Sequence, residues 1–207
     1  MDLYLLGIIA ANCLFSYQGF KDERFFRKYE FHIGSIRAGE HLRMLTSAFL
    51  HADFMHLLFN MYSLFLFGPV VATYMGGFGF LIVYIVSLLG GSLLTYAMHK
   101  NEYGYRAIGA SGAVTGIVYS AILLQPNMTI WFLPAYIFGI GYLLYSIYGM
   151  KAKNDNIGHT AHFGGAIGGY AYTIVREPSM LETNLQTVIL LAVPIVVLFI
   201  MSKTGKL

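Results

Sequence analysis

The sequence predicts an all-α polytopic membrane protein, and three observations carry that prediction. Of 207 residues, 57% are hydrophobic and only 11% are charged, against about 25% charged in an average soluble domain. Mean hydropathy is +0.63. The apolar residues come in continuous runs, whereas an outer-membrane barrel would alternate apolar and polar positions. A soluble fold would lack the charge to cover its surface, and a disordered chain would not be this apolar. A span takes about 20 apolar residues, so one domain of at most about eight spans fits. The net charge of +3 gives no support for a nucleic-acid partner. The single Cys13 cannot form an internal disulfide or a cysteine-based metal site, and it reads as packing.

The first run, Leu3 to about Phe20, follows no basic residue and shows no small-residue cleavage pattern. It is expected to be a retained span. Residues Lys21 to Leu50 mix charges with Phe25, Phe26, Tyr29 and Phe31, as in a partly folded interfacial loop. The second span runs from Phe54 to Tyr74 and turns at Gly76-Gly77. The third runs from Phe78 to Met98. The fourth apolar run, Ser111 to Gln125, is short and stops at Pro126-Asn127. The fifth is expected over Met128 to Met150, the sixth over His159 to Val175, and the seventh over Leu185 to Met201.

Polar groups inside a span are expensive, so each is a functional candidate. The second span opens with His51, His56 and Asn60, the fourth with Ser111, and the sixth with His159 and His162. Alternate spans run parallel, so these groups share one membrane face. Asn60, Ser111 and His162 lie 14 residues before Tyr74, Gln125 and Arg176, which mark the far ends of their spans. At 1.5 Å per residue all three stand ~21 Å above the far interface. That is ~10 Å below the near surface of a ~30 Å core. A fourth span too short to cross implies that loop 99–110 dips into the membrane, lined by protein or water.

Ser, His and Asn at one depth suggest one site. A serine becomes a nucleophile when a neutral histidine takes its proton. Ser111 and His162 lie on different spans, which must therefore approach closely. His162, Gly165 and Gly169 share one helix face, and Gly112 and Gly116 form a GxxxG pair. Ser111 starts a helix, where backbone N–H groups and the dipole favour a developing oxyanion. His56 and Asn60, four residues apart, share a face and can donate to the same oxyanion. Together these groups describe peptide-bond hydrolysis inside the membrane.

At these residues the chain resembles the rhomboid family of intramembrane serine proteases. Gly109-Ala110-Ser111-Gly112 matches the family's GxSG motif, and His162-Phe163-Gly164-Gly165-Ala166-Ile167-Gly168-Gly169 matches its HxxGxxxG motif. His51-Ala52-Asp53-Phe54-Met55-His56-Leu57-Leu58-Phe59-Asn60 matches its HxxxxHxxxN motif. Leu42-Arg43 stands at the family's Trp-Arg pair, with the arginine kept, and Thr115 stands where some members carry an aromatic that supports the histidine. Each motif alone is weak, but three in this order on parallel spans are specific. The resemblance implies a six-helix rhomboid-like core over residues 1–176, with 177–207 adding a seventh span and a short tail. It implies catalysis by Ser111 and His162, an oxyanion and substrate site with His56, Asn60 and Gly109, and support from His51, Gly112, Gly165 and Gly169. Substrates would be single-span membrane proteins in the lipid bilayer, and no metal or cofactor is expected.

Other readings remain. A catalytically silent relative would bind transmembrane helices without cutting, and a small transporter would show internal repeats and paired charges within spans. Asp155 lies seven residues before His162 and is a candidate to orient it; His159 reads as interfacial, and His32, His41 and His99 as solvated loop residues. Loops on the motif side hold 12 of the 13 Lys and Arg residues, which by the positive-inside rule puts the site in the cytoplasm. The resemblance implies instead a bacterial cytoplasmic membrane with the site on the extracytoplasmic side, and that is the orientation expected here.

Overall fold

The computed structural model describes residues 2–130, 132–152 and 157–206. Helix α1 (Leu3–Lys21) opens on Asp2, whose carboxylate accepts from the Tyr4 and Leu5 N–H groups. This satisfies donors that a helix start leaves open. Its inward stripe is Leu5, Ile8, Asn12, Ser16 and Gly19, in the three- and four-residue steps of one helix face. Leu3, Leu6 and Leu14 point outward, where a bilayer rather than water suits them.

Residues 21–50 fold into short pieces. These are α2 (Glu23–Tyr29), β1 (Phe31–His32), α3 (Ile33–Arg37), α4 (Arg43–Thr46) and a 3-10 turn at Ser47–Phe49. Strand β1 pairs antiparallel with β2 (Arg106–Ala107), so loop 99–110 is stitched to the loop after α1. Glu30 is buried beneath the pair and bonds to Arg27 and Arg106, as a buried carboxylate must. Arg43 ties the turn down. Its Nη1 donates to the Arg27 and Glu30 carbonyls at 2.7 and 3.0 Å, and its Nε to Glu40 at 2.6 Å.

The second and third spans form one element, α5 (Phe54–His99), broken at Gly76. Gly76 has φ 73° and ψ 163°, a conformation that side chains disfavour, and the chain reverses there. A Cβ on Gly68 would lie 3.3 Å from the Phe80 ring, so the arms 54–75 and 77–99 run side by side. Helix α6 (Ser111–Leu124) has 14 residues, about 21 Å of rise against a ~30 Å hydrocarbon core. Every residue in it after Ser111 is buried, which makes it the central helix.

The fifth span starts later than its apolar run. Strand β3 (Thr129–Ile130) pairs antiparallel with β4 (Leu133–Pro134), and helix α7 spans Ala135–Ala152. Pro134 explains the delay, because proline disfavours helix in the residue before it and has no N–H to give. Helix α8 (His159–Arg176), the short α9 (Met180–Thr183) and α10 (Leu185–Lys203) follow.

Glycines set the packing directions. Gly112 meets Gly165 and Gly116 meets Gly169, so α6 and α8 run parallel, backbone on backbone. Gly90 meets Gly164, while Val86 and Ser87 meet Gly168, so the second arm of α5 runs antiparallel to α8. Helix α10 packs against α7, with Leu191 against Gly139. The Tyr170 hydroxyl, on α8, donates to Val188 O at 2.9 Å. Among the described residues, α1, α5 and α10 are each long and apolar enough to cross a membrane, and α6 is a shorter apolar helix. The architecture is an all-α polytopic membrane bundle.

Candidate active site

Ser111 begins α6, and the chain before it is held from three sides. Gly109 has φ 115°, and a Cβ there would lie 2.8 Å from the His56 ring. Only glycine fits both the backbone and the contact. The Gly109 N–H donates to Ser47 O at 3.0 Å, so this residue contributes space beside His56 rather than a donor. The Ala110 N–H donates to His51 Nε2 at 3.4 Å.

His51 is fully buried between the 3-10 turn and α5, outside the spans. The Ser16 hydroxyl bonds both Phe49 O, at 3.0 Å, and His51 Nδ1, at 2.8 Å. A carbonyl can only accept, so the serine proton goes to Phe49 and its oxygen accepts from Nδ1–H. Nε2 is then the acceptor that Ala110 requires. Burial, with His56 beside it, pulls this imidazole down to about 3. His51 thus links α1 to the residue before Ser111 as a neutral ring.

His162, in the first turn of α8, places Nε2 2.7 Å from Ser111 Oγ. The seam beneath them is the glycine contact of Gly112 and Gly116 with Gly165 and Gly169, which leaves no room for a Cβ. The parallel direction of α6 and α8 puts both helix starts at one level, so side chains in their first turns meet.

Tyr142 of α7 completes the surroundings. Its hydroxyl lies 2.9 Å from His162 Nδ1, and its ring stacks on the imidazole at 5.6 Å and 29°. Thr115 Oγ1 bonds Ser111 O at 2.7 Å. The aromatic beside the histidine therefore comes from α7 rather than from position 115. Sequence reasoning missed Tyr142, since it is one of 16 tyrosines and lies in no motif.

His56 and Asn60 lie on the first arm of α5 and line a cavity of about 860 Å³ together with Ser111, Thr115, Tyr142 and His162. The Ala52 N–H points at His56 Nδ1 at 3.4 Å, which leaves the ring proton on Nε2, the atom beside Gly109. Asn60 Nδ2 donates one hydrogen to His56 O at 2.9 Å. Phe59, Phe67 and Phe138 line the same cavity, between the first arm of α5 and α7.

Three of the remaining histidines differ from expectation, while His41 is exposed as expected. His159 is buried, with its ring edge-on to Tyr145 at 5.3 Å and to His162 at 6.1 Å. His99 ends α5, stacks on Tyr105 at 3.8 Å and bonds Thr160 at 3.2 Å. It pins loop 99–110 to α8 rather than lying in solvent. His32 bonds the Ser35 hydroxyl at 2.9 Å. Asp155 lies outside the described residues.

Residues 38–179, which hold His51, His56, Asn60, Ser111, Tyr142 and His162, match the family model described as the Rhomboid domain. The chain is 28% identical to "RHOMBOID-like protein 12, mitochondrial" of Arabidopsis thaliana over 84% of this chain and 58% of that protein. It is 37% identical to "Putative rhomboid protease YdcA" of Bacillus subtilis over 64% of this chain and 65% of that one. It is 30% identical to "Rhomboid protease GluP" of Bacillus subtilis over 65% of this chain and 26% of that one. The chain thus spans less than two thirds of each of these relatives.

Proposed function

This chain belongs to the rhomboid family, and we propose that it is an intramembrane serine endopeptidase working through Ser111 and His162. The observation that carries the reading is the 2.7 Å bond from Ser111 Oγ to His162 Nε2, at the start of a buried helix and facing a cavity. At that distance the serine proton can pass to Nε2 as Oγ attacks a peptide carbonyl.

The carbonyl oxygen becomes an oxyanion as the tetrahedral intermediate forms. His56 Nε2–H, the second amide hydrogen of Asn60 and the backbone N–H at the start of α6 are the donors proposed to receive it. His162 then returns its proton to the leaving amine, and water repeats the cycle on the acyl-enzyme. Gly109 keeps His56 close, His51 holds the approach to Ser111, and Gly112, Gly165 and Gly169 set the spacing of the two helices. The cavity between the first arm of α5 and α7 supports a transmembrane segment as the substrate class. The site is proposed to face the extracytoplasmic side of a bacterial cytoplasmic membrane.

Labelling with a fluorophosphonate probe tests the activated serine, and cleavage of a single-span substrate tests the peptidase. Wild type is expected to react in both assays. Ser111→Ala is expected to lose both completely, and His162→Ala at least ~10³-fold. Labelling that persists in Ser111→Ala would sink the assignment. Reporter fusions at the C-terminus, on the motif face, are expected to report an extracytoplasmic location.

A further inference from the structure

One carboxylate stands apart from the other charges of this chain. Among the described residues, Glu30 is the one Asp, Glu, Lys or Arg that is buried, at 2% exposure. Burying a carboxylate is costly unless it is paired and hydrogen-bonded. The two oxygens of Glu30 go to different elements. Oε2 meets Arg27 Nη1 of α2 at 3.3 Å, and Oε1 meets Arg106 Nη1 of β2. Both arginines are about half-exposed, so the desolvated member of the trio is Glu30. It precedes residues 38–179, the part matched by the family model, and belongs to no motif.

Arg106 carries this pairing to the site. It stands five residues before Ser111 and lines the cavity. The loop that leads to it lies along residues 33–37. Lys100 O accepts from Arg37 Nη1 at 2.7 Å, Tyr103 O from the Gly34 N–H at 3.0 Å, and Tyr105 O from the Ile33 N–H at 3.1 Å. The strand pair continues the contact, with Arg106 opposite His32 and Ala107 opposite Phe31. Past the strand, the Gly109 and Ala110 N–H groups are committed to Ser47 O and His51 Nε2. The backbone donors left for an oxyanion are those that open α6, beginning with Ser111. Their aim depends on the path of residues 106–110, and Glu30 clamps the first residue of that path. A buried carboxylate is screened little by salt, so it holds its partner more firmly than an exposed pair would. We propose that Glu30 is a positioning residue that, through Arg106, fixes the backbone aiming the Ser111 N–H into the oxyanion site. The proposal rests on the Ser111–His162 reading above.

The two arginines separate aim from stability, because Arg106 lies in the loop before Ser111 and Arg27 does not. Glu30→Gln keeps the shape and removes the charge. Its kcat on a single-span substrate is expected to fall about 10-fold with KM within about 2-fold of wild type. Fluorophosphonate labelling is expected to slow by the same factor. Arg106→Gln should match it. Both variants remove one contact, so the double variant Glu30→Gln/Arg106→Gln is expected to fall about 10-fold rather than about 100-fold. Arg27→Gln breaks the pair on the other oxygen. It is expected to lower the thermal midpoint while kcat stays within about 2-fold of wild type. A merely structural role for Glu30 predicts instead that Arg27→Gln and Arg106→Gln change activity alike.

Hydrogen exchange in a peptide covering residues 106–112 reads the same backbone without any reaction. Glu30→Gln and Arg106→Gln are each expected to speed it about 3-fold or more, and Arg27→Gln to leave it as in wild type. Wild-type kcat in Glu30→Gln and Arg106→Gln would overturn the proposal. So would additive losses in the double variant, or a loss in Arg27→Gln equal to that in Arg106→Gln. Should Glu30→Gln fail to fold, Arg106→Gln decides by the same two measurements. If wild type takes no probe, the peptidase reading fails. The exchange pattern then decides whether Glu30 holds this backbone, and unchanged exchange in both variants overturns it.

Discussion

The helix seam that carries the dyad and the cavity beside it are built on opposite principles. The seam of α6 and α8 is glycine on glycine, with Gly112 against Gly165 and Gly116 against Gly169. The cavity, between the first arm of α5 and α7, is lined by Phe59, Phe67, Phe138 and Tyr142 around about 860 Å³ of space. In lipid there is little hydrophobic force between helices, so close backbone contact is what holds a seam. A seam without side chains has one spacing, and it fixes the distance from Ser111 to His162. A side made of large rings can give way around a guest. Rigidity is thus concentrated where the reacting atoms are, and space where a substrate would enter.

Bulk in the seam should break this contrast most severely. A Cβ at Gly165 overlaps the Gly112 carbonyl, and backbone cannot step aside as a side chain can. Gly165→Val is expected to part the helices, lower the thermal midpoint and abolish fluorophosphonate labelling. Overpacking of this kind typically costs about 1–3 kcal/mol. Labelling at the wild-type rate would show that the seam does not set the dyad.

Removing a donor from the open side should act on the reaction while leaving the fold. His56→Ala and Asn60→Ala are each expected to lower kcat by ~10²–10³ with a much smaller change in KM. An effect confined to KM would reassign these residues to ground-state binding. Thermal melts of both variants close to wild type would show that the loss is chemical.

His51 ties α1 to Ala110, the residue before Ser111, and acid should loosen it. Its folded value of about 3 lies below the ordinary 6.5. The unfolded chain therefore binds the proton first. The stability from neutral His51 is complete above pH 6.5 and is lost progressively as pH falls toward 3. Thermal midpoints measured from pH 7 to pH 4 are expected to fall, and to fall less in His51→Gln. Equal slopes in the two proteins would remove His51 from the account.

The smallest effect is expected from the rings. Phe59→Ala and Phe138→Ala widen the space without touching the dyad. Each is expected to change cleavage of a single-span substrate a few-fold while leaving probe labelling unaltered. Equal changes in both assays would mean that these rings support the dyad itself.

Much of this architecture was legible in the sequence because it depends on local pattern. Apolar runs separated by turns define the spans, and the count of residues from Asn60, Ser111 and His162 to the far ends predicts one shared depth. The glycine spacings on spans four and six point to a close parallel pair, which is the arrangement of α6 and α8. The fifth span was misplaced because hydropathy does not register proline's missing N–H at Pro134. His99 was misread because its partners, Tyr105 and Thr160, come from elsewhere in the chain.

By itself, then, the sequence determined the class of the protein, the order and direction of its spans, and the membrane face on which its polar groups gather. These follow from transfer of side chains between water and lipid, which acts residue by residue. The tertiary structure alone decided that Tyr142 on α7 stands beside His162, that Gly109 yields its space to His56, and that His51 ties α1 to Ala110. Those are contacts between distant segments. Their hydrogen-bond directions depend on which donors and acceptors finally meet, which no periodicity encodes.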